Sequence, residues 1–284
     1  METTTSTRGL TLITGGTGKT GRRVAERLAA HGVPVRIGSR SGTPPFDWED
    51  RGTWAAALDG AEAAYIAFYP DLTVPGAAEA VGAFAGLAVE RGVRRLVLLS
   101  GRGEEGAQWA EEAVRASGAE WTILRCSWFA QNFSESFLLE PLLAGELALP
   151  VGDVREPFID ADDIAGAAVA ALTEDGHAGQ LYELTGPRAL TFAEAVDEVA
   201  RASGRPMRFV TITLDQFAAG MAEQEVPAEM ADMVMELFTT VLDGRNSQVA
   251  DGVQRALGRE PRDFAEYARD AAAAGAWNPS LVPA

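Results

Sequence analysis

The sequence predicts a doubly wound α/β fold, in which helices cover both faces of a parallel sheet. Three observations predict it. Short apolar runs alternate with helical patterns over residues 9–125, glycines end most of the helical patterns, and the first apolar run leads directly into a glycine-rich loop and a helix. Alternation of this kind favours right-handed crossovers between parallel strands.

The predicted elements follow one another without a long gap. A strand at 9–14 precedes a helix that stops at Gly32, and a second strand covers 33–40. A short helix ends at Gly60, a third strand begins at residue 61, and a long helix ends at Gly92. The best candidate for a buried strand covers 94–101, and a helix at 107–116 and a strand at 120–125 come next.

Beyond a last strand at 180–187, helical patterns dominate the chain. Thr191 is followed three residues later by Glu194, which is the spacing of a capping box and predicts a helix over 191–204. A short strand is expected at 207–214, and two more helices at 227–244 and 261–275. We therefore expect a main domain over residues 8–186 and a smaller, mostly helical part over residues 187–284.

The charge balance is strongly acidic, with 24 basic residues, 41 acidic residues and a formal net charge of -17. Such a chain repels phosphate backbones and anionic lipids, so direct binding to nucleic acid is not expected. No apolar run reaches the roughly 20 residues of a membrane span. The single cysteine, Cys126, and an N-terminus without a basic and then apolar stretch predict a soluble cytoplasmic protein.

Three glycines at a spacing of three, Gly15, Gly18 and Gly21, follow the first strand. Glycine at these positions permits a tight turn, close approach of the backbone to a pyrophosphate, and close helix packing. The helix that follows directs its N-terminal amides and the positive end of its dipole at bound phosphates. The loop is thus interpreted as a dinucleotide-binding loop. A nucleotide-binding P-loop is excluded because the glycine required five positions before Gly18 is Ile13.

The end of the second strand discriminates between NAD and NADP. Between Glu26 and Asp47 there is no acidic residue to accept hydrogen bonds from ribose hydroxyls. Ser39 and Arg40 stand there instead, and a guanidinium fork suits a 2'-phosphate. The sequence favours NADPH as cofactor, although Arg40 can also be read as one more solvent-facing arginine.

Four motifs occur in one order: GGTGKTG, LVLLSG at the fifth strand, WTILRCSWFAQNF at the sixth, and EPFIDADDIAGAAVAAL. Together they resemble the NmrA-like group of atypical short-chain dehydrogenase/reductases over roughly residues 9–270. The resemblance implies a Rossmann domain that binds NADP over residues 8–186 and a substrate-binding cap over residues 187–284, with loop 126–158 contributing. It is less specific for the reaction, because the group includes quinone reductases, other reductases and redox-sensing regulators without catalysis.

The resemblance also implies roles for individual positions. The residues that it places around the pyrophosphate are Gly15, Thr17, Gly18, Lys19, Thr20 and Gly21. It places Ser39 and Arg40 beside the 2'-phosphate. Asp47 and Trp48 are placed after the third strand, near the adenine. Near the nicotinamide it places Phe68, Tyr69, Pro70, Ser100, Cys126 and Ser127. Around the substrate it places Trp128, Phe129, Gln131, Asn132 and Phe133.

The chain departs from the Tyr-x-x-x-Lys pair by which short-chain dehydrogenases protonate an alkoxide. Lys19 is the only lysine, and residues 100–120 contain no tyrosine. We therefore expect hydride transfer to a quinone or a similar conjugated aromatic compound, whose product anion is weakly basic, with Tyr69 and Ser100 as the candidate catalytic residues. The alternative is a non-catalytic NADP(H) sensor that acts through a protein partner.

Three further features have ordinary structural interpretations. Asp160, Asp162 and Asp163 introduce a predicted helix, where acidic side chains are favoured, and with only two histidines in the chain no metal site is expected. An apolar stripe from Met230 to Val241 predicts core packing or a homodimer contact, or else a pliable lid over an aromatic substrate. Cys126 is expected to be a buried, unreactive thiol.

Overall fold

The computed structural model describes residues 9–280, which divide into two compact units. The first unit runs to Cys126 and also contains Ala161–Glu183 and Gly252–Arg259. The second unit contains Ser127–Asp160, Leu184–Asp251 and the chain from Glu260. The expected division had a boundary after residue 186 and let loop 126–158 contribute to the smaller part. The described units also differ from it at residues 252–259, where the chain returns to the first unit.

Strands in the described part of the chain form three sheets. In chain order they are β1 (Leu10–Thr14), β2 (Val35–Gly38), β3 (Ala61–Ile66), β4 (Arg95–Gly101), β5 (Glu120–Cys126), β6 (Glu146–Leu149), β7 (Arg155–Glu156), β8 (Gln180–Leu184), β9 (Leu190–Thr191) and β10 (Arg208–Thr211). The main sheet has the order β2-β1-β3-β4-β5-β8. Its pairs from β2 to β5 are parallel. Two small sheets pair β6 with β10 and β7 with β9.

Helices connect these strands. They are α1 (Lys19–Ala30), α2 (Trp54–Leu58), α3 (Ala77–Glu90), α4 (Glu105–Arg115), α5 (Leu139–Ala144), α6 (Ala161–Thr173), α7 (Phe192–Ser203), α8 (Leu214–Glu223), α9 (Ala228–Glu236), α10 (Gly252–Leu257) and α11 (Phe264–Ala273). Short 3-10 turns occur at Arg51–Thr53 and Ala130–Phe133, and a π-helical turn at Leu237–Val241. Over residues 9–280, none of the helices has the length and hydropathy needed to cross a bilayer.

The predicted fold class is confirmed, because the main sheet is doubly wound and Rossmann-like. Strand order reverses between β1 and β3, and ligands of open α/β sheets bind at the carboxyl ends of the strands beside such a switch point. The strand numbering expected from the resemblance was one too high. LVLLSG lies on the fourth strand and WTILRC on the fifth, because only the Arg51–Thr53 turn and α2 lie between β2 and β3.

The first unit has a core of strand side chains packed against helices. Leu12, Ile66, Leu98 and Ile123, one from each of four neighbouring strands, are fully buried. Near-continuous apolar strands of this kind are typical of a sheet that is covered on both faces. The buried strands hold the carboxyl edge of the sheet, and therefore the glycine loop after β1, in a fixed position.

The second unit has an aromatic core of its own. Phe133 and Phe158 each pack against Phe192 and Phe264 and against each other, with ring centroids 5.2 to 6.0 Å apart in edge-on, stacked or tilted pairs. At the start of α7 the Thr191 hydroxyl accepts a hydrogen bond from the backbone N–H three residues on. The Glu194 carboxylate accepts one from the Thr191 N–H in return, so the predicted capping box is confirmed.

The apolar stripe from Met230 to Val241 runs along α9 and the π-helical turn after it, and it is divided between core and surface. Phe238 and Val241 are buried in the core of the second unit, whereas Met230 is 37% exposed. The helix expected over 227–244 is shorter than predicted, since α9 ends at Glu236 and gives way to the π-helical turn. Core packing is confirmed for the second half of the stripe.

Candidate cofactor site

The glycine loop joins β1 to α1 at the switch point of the sheet. Gly15 has a φ of 62°, in the left-handed region that strains any residue with a Cβ. Its carbonyl accepts a hydrogen bond of 2.9 Å from the Gly18 N–H, which closes the turn. A Cβ on Gly21 would lie 2.3 Å from the Gly15 oxygen, so the first turn of α1 can lie against the loop only with glycine there.

Gly18 differs from the other two glycines of the motif. It is exposed with an ordinary φ of -79°, and a Cβ added there would have a single near neighbour, the Gly15 oxygen at 3.2 Å. Neither turn geometry nor close packing therefore demands glycine at this position. Close approach of a ligand is the remaining physical reason for it, and the exposed Thr17 lies beside it.

The N-terminus of α1 is suited to an anion. Gly18 is the N-cap and supplies no side-chain hydrogen bond, and the first turn contains no acidic residue. Backbone N–H groups and the positive end of the dipole at such a terminus favour a phosphate group. Lys19, the first residue of α1, adds the positive charge of the only lysine.

Ser39 and Arg40 follow β2 directly, as predicted. The carbonyl of Ser39 accepts hydrogen bonds from the N–H groups of Gly42 and Phe46, at 3.0 and 2.9 Å, and thereby folds the turn after the strand. Arg40 is exposed, and within residues 9–280 no hydrogen bond or ion pair holds its guanidinium. Its side chain can therefore turn toward a phosphate without breaking an existing contact.

An aromatic cluster lies between β2 and the end of β3. Trp48 is half-buried, with ring centroids 5.0 Å from Phe46, 5.7 Å from Trp54 and 4.9 Å from Phe68. The carbonyl of Asp47 accepts a hydrogen bond of 2.7 Å from the Trp54 indole N–H. Asp47 and Trp48 thus precede β3 instead of following the third strand, and their predicted adenine contacts stay a prediction.

Hydrogen bonds of buried hydroxyl groups connect β3 and the residue that follows it to the end of β1 and the start of α1, and the sequence did not predict them. The Tyr65 hydroxyl donates to Thr20 at 3.0 Å, and the Thr14 hydroxyl accepts from the Ala67 N–H at 2.9 Å. Full burial of the ring raises the pKa of Tyr65 well above its usual value. Threonine at the end of β1 and tyrosine inside a buried strand were the available signals, since buried hydroxyls require partners.

Ser100, at the carboxyl end of β4, is buried, and its hydroxyl donates a hydrogen bond of 2.6 Å to Glu111 on α4. Two N–H groups of Arg125 also bind the Glu111 carboxylate, one of them at 2.9 Å. This ion pair raises the pKa of Arg125. Glu111 was also missed, although a glutamate on the face of α4 that carries Ala107, Ala110 and Val114 signals a buried charge.

Tyr69 and Cys126 have opposite environments. Tyr69 is 70% exposed beyond the end of β3, next to the partly buried Phe68. Cys126 ends β5 and is buried, and burial raises the pKa of its thiol well above the usual range. The thiol is therefore protonated and poorly nucleophilic, as the sequence predicted.

Ser127, which was predicted near the nicotinamide, and the predicted substrate residues lie in the second unit, where most of them contact other residues. The Ser127 hydroxyl donates to the Pro157 carbonyl at 2.6 Å, and the Gln131 amide donates to Asp160 at 2.7 Å. Trp128 is 9% exposed against Phe192 and Phe238, whereas Phe129 and Asn132 are half-buried.

Phe133 is buried more deeply than the other residues predicted to line the substrate cavity, and its contact with a substrate stays a prediction. It has 0% of its surface exposed and packs in the aromatic core of the second unit. An alternating pattern of aromatic residues in a loop does not distinguish a side chain that lines a cavity from one that fills a core, because both are apolar.

The acidic residues around the start of α6 pair with arginines. Asp162 lies 2.8 Å from Arg27 and Asp163 lies 2.6 Å from Arg259, all in the first unit. In the second unit, Asp160 lies 2.8 Å from Arg262. Across residues 9–280 there is no group of three His, Cys, Asp or Glu side chains that could hold a metal ion.

Comparison with known proteins identifies the family. The uncharacterized oxidoreductase YesF of Bacillus subtilis is 34% identical over 278 residues, which cover 94% of this chain and 96% of that relative. The NAD(P)H azoreductase of Xenophilus azovorans is 32% identical over 284 residues, covering 93% and 98%. No family model matches the sequence.

A solved structure supports the fold independently. The NADPH-dependent quinone oxidoreductase of Escherichia coli, in complex with NADPH, has a TM-score of 0.73 at 23% identity and covers 92% of this chain and 99% of that chain. The Rossmann-like sheet, the glycine loop and the near full-length relatives define a short-chain dehydrogenase/reductase of the atypical kind. The chain belongs to the NmrA-like group of these NAD(P)H-binding proteins.

Proposed function

We propose that the chain is an NADPH-dependent oxidoreductase that transfers hydride to a quinone or a similar conjugated aromatic small molecule. The observation that carries the proposal is the glycine loop at the switch point, where exposed Gly18 leaves room for a ligand against the N-terminus of α1. A relative named NAD(P)H azoreductase supports this class of reaction. Cytoplasmic location and a homodimer remain predictions.

NADPH would lie along the carboxyl edge of the sheet in the first unit. Thr17, Gly18 and Lys19 would bind the pyrophosphate, and Ser39 with Arg40 the 2'-phosphate. When bound, the reduced nicotinamide supplies the hydride. The protein's own contribution is to bind and orient the two reactants, with Phe68 and Tyr69 proposed beside the nicotinamide ribose.

This chain has few residues that could donate a proton to the reduced product. The sequence contains no Tyr-x-x-x-Lys pair, since Gly15 stands four positions before the only lysine. Hydride addition to a quinone gives a delocalised phenolate, which hydrogen bonds can stabilise before water protonates it. Tyr69 has an exposed hydroxyl for this purpose, whereas Ser100 would first have to turn its hydrogen away from Glu111.

Loss of NADPH absorbance with a panel of acceptors tests the proposal. We expect oxidation of NADPH with quinones and negligible turnover with a saturated aliphatic ketone, because the ketone would yield a strongly basic alkoxide. Comparable turnover of the ketone would show that a proton donor exists in the site. Tight NADPH binding without oxidation by any quinone would favour the non-catalytic sensor of NADP(H).

A further inference from the structure

Two threonines flank the glycine loop, and both are buried. Thr14 ends β1, and Thr20 is the second residue of α1. Thr20 lies on the buried stripe of α1 with Val24 and Leu28, at spacings of four residues where apolar side chains are usual. A buried hydroxyl costs free energy unless it has a hydrogen-bond partner, so both threonines require partners.

Tyr65 of β3 is a partner of both threonines. The Thr14 hydroxyl lies 3.2 Å from the Tyr65 carbonyl oxygen, and the Tyr65 hydroxyl donates to the Thr20 hydroxyl at 3.0 Å. One residue of the neighbouring strand therefore holds the last residue before the glycine loop and the second residue of the helix after it. All of these residues belong to the first unit.

The Tyr65 hydroxyl is a permanent donor in this contact. Tyr65 has 0% of its surface exposed, and within residues 9–280 the partner of its hydroxyl is Thr20. Burial raises the pKa of Tyr65 well above its usual value, so the phenol keeps its proton across the neutral range. Without Thr20 its hydrogen would be buried and unsatisfied, which disfavours any movement of the helix that breaks the bond.

Holding Thr20 fixes the first turn of α1. The backbone N–H groups of this turn have no partners inside the helix, and they converge on an anion while the turn keeps its position. The loop before it contains Gly15, Gly16 and Gly18, which restrict the backbone little. A hydrogen bond from outside the loop therefore reduces the conformational entropy that a ligand must remove when it binds there.

Resting on the proposed function, we propose that Tyr65 is a positioning residue for the pyrophosphate of NADPH. Because its surface is fully buried, Tyr65 acts through Thr20 and not by contact with the cofactor. The proposed 2'-phosphate subsite, Ser39 and Arg40, follows β2 and does not take part in this hydrogen bond. Binding of the pyrophosphate therefore depends on Tyr65, whereas binding of the 2'-phosphate does not.

Tyr65→Phe removes the hydroxyl and keeps the ring, and Tyr182→Phe is the matched control in the same unit. Tyr182 is also buried, and its hydroxyl lies 2.9 Å from Nδ1 of His177. Its strand, β8, is separated from β1 by β3, β4 and β5. By titration calorimetry we expect Tyr65→Phe to bind NADPH about threefold or more weakly, within what one neutral hydrogen bond can contribute, and Tyr182→Phe to bind it like the parent.

A ligand without a pyrophosphate supplies a measurement that a general loss of stability would not separate from NADPH binding. Adenosine 2'-monophosphate carries the adenine, the ribose and the 2'-phosphate. We expect Tyr65→Phe to bind it with the affinity of the parent, measured by competition against NADPH, because this ligand makes no contact with the N-terminus of α1.

Variants of Thr20 test the same hydrogen bond from its other side. Thr20→Val removes the hydroxyl, and Thr20→Ser keeps it. We expect Thr20→Ser to retain more NADPH affinity than Thr20→Val. Adding Tyr65→Phe to Thr20→Val should weaken NADPH binding by less than about twofold further, because two residues that act through one contact are not additive.

The outcomes distinguish this proposal from the function on which it rests. Parental NADPH affinity of Tyr65→Phe would overturn the positioning role and leave the NADPH-dependent reductase standing. Equal losses for NADPH and adenosine 2'-monophosphate, or equal losses of NADPH affinity in both tyrosine variants, would also overturn it. If Tyr65→Phe does not fold, equal NADPH affinities of Thr20→Val and Thr20→Ser would do so. Absence of NADPH binding in the parent would overturn both proposals.

Discussion

Substituting Gly18 with alanine is expected to weaken NADPH binding while the protein remains folded. The added Cβ would meet only the Gly15 oxygen, at 3.2 Å, so a shift of a few tenths of an ångström accommodates it. At an N-cap with an ordinary φ the stability cost is on the order of 1 kcal/mol. The methyl group would occupy the space proposed for the pyrophosphate, and we expect a loss of affinity of about tenfold or more, or about 1.4 kcal/mol.

Gly21→Ala is the matched control, with the same added atom three residues along the same loop. Its Cβ would lie 2.3 Å from the Gly15 oxygen and 2.8 Å from the Gly15 carbonyl carbon, where ordinary contacts begin at 3.4 Å. Backbone would have to move by about 1 Å, and overpacking of this kind costs roughly 1–3 kcal/mol. We therefore expect this variant to lose stability as well as affinity.

Titration calorimetry with NADPH and urea unfolding without it give the two quantities for each variant. The expected pattern is a loss of binding with a stability loss of no more than about 1 kcal/mol for Gly18→Ala, and a larger loss of stability for Gly21→Ala. If Gly18→Ala binds NADPH as tightly as the parent, the pyrophosphate does not lie over this loop. Parental stability of Gly21→Ala would contradict the close packing on which the contrast rests.

Three further predictions concern charge. Arg40→Ala should reduce the ratio of NADPH affinity to NADH affinity by about tenfold or more, because one charged contact to the 2'-phosphate is lost. Equal affinities of the parent protein for NADPH and NADH would contradict the assignment of Arg40 to the 2'-phosphate. Glu111→Gln should lower the free energy of unfolding by on the order of 3 kcal/mol, because Arg125 loses its buried charged partner. Urea unfolding measures this change. An unfolding midpoint equal to that of the parent would contradict a stabilising role of the Glu111–Arg125 ion pair.

Asp263 gives a pH dependence. Chiefly its hydrogen bonds to Arg188 lower the pKa of Asp263 below 3.8, so its contribution to stability is present above that value and is lost as the pH falls through the lowered pKa. Asp263→Asn should therefore reduce the loss of the free energy of unfolding at acidic pH, measured by urea unfolding over a series of pH values. The same pH dependence in the variant and the parent would contradict this role of Asp263.

The glycine loop shows how far spacing alone reaches. The spacing predicted a dinucleotide loop after the first strand, and β1, the loop and α1 occur where the pattern placed them. The pattern could not distinguish the three glycines, because backbone torsion, helix packing and ligand approach all select against a side chain. Only the positions of neighbouring atoms separate Gly18 from Gly15 and Gly21.

Ser100 shows the opposite case. Its place at the end of a strand was correctly predicted, but the direction of its hydroxyl depends on Glu111, 11 residues away on a helix. Likewise Phe133 has the aromatic character expected beside a substrate, yet it lies in a core formed with residues distant in sequence, such as Phe264. A local pattern can indicate that a polar side chain is buried, but it does not identify the partner when that partner belongs to another element.

By itself, the sequence determined the alternation of strands and helices, the glycine loop, the capping box and the excess of acidic residues, because each is written in local spacing or composition. Only the tertiary structure decided the order β2-β1-β3-β4-β5-β8, the return of residues 252–259 to the first unit and the partners of buried polar groups. These depend on contacts between distant parts of the chain, and such contacts are settled by packing and by the satisfaction of buried hydrogen bonds.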